Sequence, residues 1–201
     1  MDKEQQIQLG EILVKHWKSL FSCHCIPSAG KFKPDASLKD ILPHILILEV
    51  DSSDIKLSLL GPGHDGRFPI NPTGLSYLET LPPERRYPTM LRVQAMLQHK
   101  CGARLEFEER TDDGSLASTL LTVVPFAPDT DRSACLVAVA PPDTKAGEDA
   151  ANSTPFLGRP LKNFDYLDLG FGVPSPIVEK IMGVEAPSPD LKWPDLKSLV
   201  E

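Results

Sequence analysis

Three short stretches of the 201-residue sequence carry side chains that could do chemistry. Cys23-His24-Cys25 sets two thiols beside an imidazole, and thiolate and imidazole are zinc ligands. A structural zinc site needs four ligands, usually as two separated pairs. One residue lies between these cysteines and no second pair follows, so no metal is expected. Gly61-Pro62-Gly63-His64-Asp65-Gly66 reads as G-x-G-x-x-G directly behind an apolar run. The pattern holds a dinucleotide only where a long helix opens within the glycines and turns its N-terminus to the pyrophosphate. Phe68-Pro69-Ile70-Asn71-Pro72 forbids that helix, which leaves the glycines as turn formers and no nucleotide to expect. Arg85, Arg86, Arg92 and Lys100 form the third stretch, a basic cluster on a helix expected over residues 84–100. With Glu84 they are assigned to its wet face. A net charge of -7 and the lack of interleaved aromatics argue against nucleic acid and against an anionic membrane surface.

The remaining reactive groups form no motif. Ser133 and the four cysteines stand alone, and His16, His24, His44, His64 and His99 are scattered. His64-Asp65 is a neighbouring pair in a turn, whose side chains need not face each other. No catalytic residue is assigned, although a triad is recognised by geometry rather than sequence position. A small hydrolase or metal-dependent enzyme using histidine or cysteine is the alternative to a non-enzymatic protein.

Composition sets the frame for these groups. A hydrophobic content of 41% is ordinary for a folded soluble protein of one domain with appendages. The N-terminus is polar and acidic where a secretory signal is basic and apolar, and no run approaches the ~20 residues that span a bilayer. A cytoplasmic protein with free thiols is expected. Of the 20 prolines, nine follow residue 140, which disfavours long helices and central strands there.

Periodicity supplies the elements. Leu9, Leu13, Trp17 and Leu20 form the apolar stripe of an amphipathic helix over residues 5–21, weakened at Gly10 by up to ~1 kcal/mol. Its partner is either this chain's own sheet or the same helix of a second chain, so these four are candidate homodimer-interface residues. Asp35 is the expected N-cap of a short helix over residues 36–42, stopped by Pro43. Residues 44–61 read as a hairpin: Ile45 to Leu48 are continuous and buried on both sides, and Ile55, Leu57 and Leu59 alternate with polar residues. A helical turn over residues 73–78 follows. Tyr87, Met90, Val93 and Leu97 make the inward stripe of the next helix. Strands are expected around Leu105 and Phe107, over residues 116–124 and over residues 135–140, with a turn at Thr111-Asp112-Asp113-Gly114. Five antiparallel strands with helices inserted between the second and third give an α+β architecture.

Three segments follow: residues 1–27 as helix and connector, 28–141 as the domain, and 142–201 as linker and tail. Within the last, Phe156, Leu157, Phe164, Tyr166, Leu167, Leu169 and Phe171 make an apolar and aromatic patch that folds back on the domain or docks another protein. Folding back is favoured, because exposed aromatics on a soluble protein are unusual. Ser175-Pro176 is expected to cap a short helix ending at Met182, and Trp193-Pro194 to precede a final turn.

The element order resembles the PAS fold. Leu42-Pro43-His44-Ile45-Leu46-Ile47-Leu48, Leu59-Leu60-Gly61, Thr73-Gly74-Leu75-Ser76-Tyr77-Leu78 and Val123-Val124-Pro125-Phe126 are together similar to the PAS-like family typical of alphaproteobacteria, over residues 9–141. The resemblance implies a bacterial sensory or regulatory module, without enzymatic activity, that passes a signal to a protein partner. Such domains hold a small ligand between helices and sheet, or none. Here that space would be bounded by Leu57, Leu59, Tyr77, Met90, Leu97, Leu105, Phe107 and Val137, with a fully packed core as the alternative. No cofactor is expected. The cysteine-bearing flavin motif of light-sensing relatives is missing, and His99, the one histidine placed to serve as a haem ligand, reads as a surface residue. No kinase, cyclase or DNA-binding segment is seen after Pro141.

Overall fold

The structure is a computed structural model that describes residues 1–21, 25–64, 71–110, 116–130, 133–140 and 161–175. The hairpin forms where it was expected, from β1 (Ile45–Val50) and β2 (Ile55–Leu60). Asp51 shapes its turn by accepting from the backbone N–H groups of Ser53 and Asp54, each at 2.8 Å. β3 (Gly102–Arg110), β4 (Leu116–Phe126), β5 (Ala134–Val139) and β6 (Leu161–Leu167) complete an antiparallel sheet of order β2-β1-β5-β4-β3-β6. Among the described residues the sheet therefore has six strands, not the expected five. The sixth comes from the segment read as linker and tail: β6 pairs with β3, setting Phe164 opposite Leu105 and Tyr166 opposite Ala103.

One helix covers each face of the sheet. α1 (Lys3–Ser19) starts with a capping box formed by Asp2 and Gln5 and lies mainly across β4. Leu13 and Trp17 are fully buried there, each worth roughly 1.5–3 kcal/mol of burial. The Trp17 indole donates to the Pro125 carbonyl at 2.7 Å, while Leu9 and Leu20 flank the same cluster half-buried. This takes Leu13 and Trp17 out of the dimer-interface assignment of Leu9, Leu13, Trp17 and Leu20, while Leu9 and Leu20 keep part of their surface exposed. The stripe is covered by the chain's own sheet, because α1 crosses β4 closely at Gly10, where a Cβ would lie 2.8 Å from Thr122 Cβ.

The second helix, α2 (Pro83–His99), opens on the Pro82-Pro83 pair and ends at Lys100, whose φ of 56° is left-handed. It covers the opposite face with Met90, Val93, Met96 and Leu97. Between these elements the chain uses single 3-10 turns. The helix expected over residues 36–42 is two of them, Ala36–Leu38 and Leu42–His44. Asp35 does cap the first, accepting from Ser37 N–H at 2.7 Å.

Two local features redirect side chains. Across the hairpin Leu48 faces Leu57 and Ile47 faces Leu59, so Ser58 is an extra residue and the strand carries a bulge. Past it the alternation inverts, leaving Leu59 42% exposed and turning Leu60 towards the core. The glycines after β2 serve close backbone approach: a Cβ on Gly61 or on Gly63 would stand 2.6 Å from the Pro43 carbonyl oxygen.

Candidate ligand-binding site

Between α2 and the sheet lies a cavity of about 350 Å³. Its floor is Leu48, Leu105, Phe107, Leu121, Val123 and Leu136, inward positions of β1, β3, β4 and β5. α2 supplies Arg85, Pro88, Thr89, Arg92, Val93 and Met96. Tyr77 and Leu81 close one side, and Leu161 and Phe164 of β6 add to the wall. Pro88 has no N–H to complete the helical ladder and interrupts it where the helix borders the cavity.

The lining is apolar except for Tyr77, Thr89 and two arginines. The Arg92 guanidinium sits 4.8 Å from the centre of the Phe164 ring, and Phe164 meets Tyr166 edge-on at 4.8 Å. Loss of hydration pushes the Tyr77 phenol up to about 12, with Arg85 and Arg92 pulling in the opposite sense. Tyr77 is therefore a neutral hydroxyl at physiological pH. Among the described lining residues there is no carboxylate.

Of the eight residues named from the sequence, Tyr77, Leu105 and Phe107 line this space. Leu57, Met90 and Leu97 are buried in the same cluster without lining it. Leu59 faces outward because of the bulge. Val137 lies on the α1 face, since its neighbour Leu136 takes the inward position of β5. Arg85 and Arg92, assigned to solvent, are half-buried at the cavity instead. The signal for them was present: Arg85, Thr89, Arg92 and Met96 recur at spacings of four, three and four, a helical stripe with polar members. Leu161 and Phe164 had no comparable signal, because the pairing of β6 with β3 is long-range.

The hydrolase alternative directs attention to His16, Asp35 and Ser37. Ser37 Oγ donates to Asp35 Oδ1 at 2.5 Å, while His16 Nδ1 stands 3.5 Å from Ser37 Oγ and 3.9 Å from Asp35 Oδ2. A nucleophilic triad needs the imidazole between hydroxyl and carboxylate. Here the hydroxyl serves the carboxylate directly, and both approach one ring nitrogen of a histidine packed edge-on against Phe32. The trio is a turn cluster: the Ser37 hydroxyl and then its N–H hold the Asp35 carboxyl below its usual range.

Two of the three described thiols are shielded from any substrate. Cys101 is buried, which pushes its thiol up to about 12, Cys135 is also buried, and Cys25 is exposed. Among the described residues no three His, Cys, Asp or Glu side chains are grouped to hold a metal ion. Cys23 and His24 of the first motif, and Asp65 and Gly66 of the glycine motif, lie outside the described residues, as do Phe156, Leu157, Met182 and Trp193. No described helix is long and apolar enough to cross a membrane. Compared with known protein families and with curated proteins, the sequence finds no match among either.

Proposed function

We propose that the chain is a PAS-like regulatory module that takes a small molecule between α2 and the sheet and signals through a protein partner. The observation that carries this reading is the cavity of about 350 Å³, within the range of small-molecule sites, walled by apolar side chains with a few convergent polar groups. It lies in the space between helix and sheet that the resemblance implies, and helical segments do separate β2 from β3. β6 suits the role of output, because it walls the cavity through Leu161 and Phe164 while forming an edge of the sheet. An occupant touching those residues stabilises the docked strand, and its departure weakens it. A partner would read that difference.

The test is binding of N-phenyl-1-naphthylamine, a neutral fluorescent probe, to the full chain. Saturable one-to-one binding with a blue shift is expected, lost in Leu121→Trp and in Met96→Trp, which fill the cavity from floor and roof. Circular dichroism checks that at least one variant keeps the fold. Unsaturable binding, or undiminished binding in a folded variant, would overturn the reading.

A further inference from the structure

We infer that the cavity selects an uncharged amphiphile, an apolar body carrying one hydroxyl or carbonyl group, with Thr89 as its specificity-determining residue; this rests on the ligand-binding role proposed above. The described lining is apolar except for Tyr77, Arg85, Thr89 and Arg92, so burial of the body supplies most of the affinity. Tyr77 and Arg85 already interact with other groups of the protein, and Arg92 lies over the face of Phe164. Both arginines are half-buried, so solvent reaches them. An ion pair at such a residue gains little, whereas stripping the water from a carboxylate costs more. An ammonium fares no better, since no described lining residue is a carboxylate. The wall offers either charge less than the water it would leave.

Thr89 differs from the other three polar residues. It lines the cavity half-buried on α2, and its hydroxyl hydrogen-bonds to no other described residue. A hydroxyl both donates and accepts, so it can meet the O–H of an alcohol or the C=O of a ketone or ester without any net charge. Leu105, Phe107 and Leu121 on the floor then receive the apolar body.

Octan-1-ol, octanoate and octylammonium share one chain and differ in head charge, so they separate this inference from the reading beneath it. Displacement of N-phenyl-1-naphthylamine from the full chain at neutral pH should rank octan-1-ol first, at least about fivefold tighter than either ion. Thr89→Val keeps the branched shape and removes the hydroxyl. It should weaken octan-1-ol about fivefold, the worth of one hydrogen bond, and Thr89→Ser should recover most of that loss. 1-Chlorooctane, whose head makes no strong hydrogen bond, should bind Thr89→Val and the wild type within about twofold of each other. An ion binding as tightly as octan-1-ol, or an octan-1-ol affinity unchanged in Thr89→Val, would sink the inference while the cavity remains a ligand site. Equal losses of octan-1-ol and 1-chlorooctane in Thr89→Val would also reject it, because the residue would then act on the fold rather than on the head group. So would a chain that takes up the probe and releases it to none of the three. Failure of the probe to bind removes the ligand site itself.

Discussion

Gly10 illustrates how a single position carries two opposed effects. In an isolated helix glycine is worth up to ~1 kcal/mol less than alanine, and by that measure Gly10→Ala stabilises α1. Against the sheet the sign reverses, because the added methyl would stand 2.8 Å from Thr122 Cβ and closer still to its hydroxyl. Thr122 is 1% exposed and has nowhere to move. Overpacking of this kind costs about 1–3 kcal/mol, which exceeds the gain in propensity. Gly10→Ala should lower the urea midpoint with an unchanged slope, and Thr122→Ala should restore part of the loss in the double variant. A raised midpoint in the single variant would show that α1 does not approach β4 so closely.

At the scale of elements, α1 and β6 decide what the sheet exposes. Leu13 and Trp17 cover a cluster that includes Val124, Phe126 and Val137, so removing residues 1–20 lays bare an apolar face and orphans the Pro125 carbonyl. The truncated chain should aggregate, or bind a hydrophobic dye and lose cooperative unfolding in urea. A soluble truncated chain with an intact unfolding transition would return α1 to the role of a detachable interface. These elements also show what the sequence made legible. The hairpin, α1, α2 and the strands to Val139 were readable because their periodicity is local. The bulge at Ser58 was not, since it depends on register against β1, and it misplaced Leu59. Neither was β6, whose pairing partner lies about 60 residues earlier and whose flanking prolines suggested a linker. The cavity inherited both errors, counting Leu59 and missing Leu161 and Phe164, and a third was added when Arg85 and Arg92 were set aside because charge was read as exposure.

Across the whole molecule, Glu106 joins the two ends of the described fold. On β3, it accepts from Ser118 Oγ of β4 at 2.7 Å and from Lys3 Nζ of α1 at 3.1 Å, and Lys162 of β6 approaches it at 3.9 Å. The Ser118 hydroxyl, followed by Lys3 and Lys162, holds its carboxyl below the ordinary glutamate value of 4.5, although partial burial opposes them. A folded-state pKa below the unfolded one means that the unfolded chain takes up the proton first as pH falls. The stabilisation from this carboxylate is then complete well above pH 4.5 and disappears as pH falls through that value and the lower folded pKa. Acidification also carries the chain from a net charge of -7 through zero near pH 5.3 to a growing positive charge, so the wild-type profile alone mixes this carboxylate with the self-repulsion of the whole chain. Glu106→Gln separates them. The variant should be less stable than the wild type at neutral pH, and the gap should close as pH falls below 4.5, measured by urea midpoints across the acid range. Lys3 depends on this carboxylate directly, whereas Lys162 is held more closely by Glu108 at 2.5 Å, so hydrogen exchange should show the start of α1 loosening over this pH interval and the edge strand β6 loosening less. A gap that stays constant with pH, or a start of α1 that does not loosen as pH falls, would refute the anchoring of α1 through Glu106.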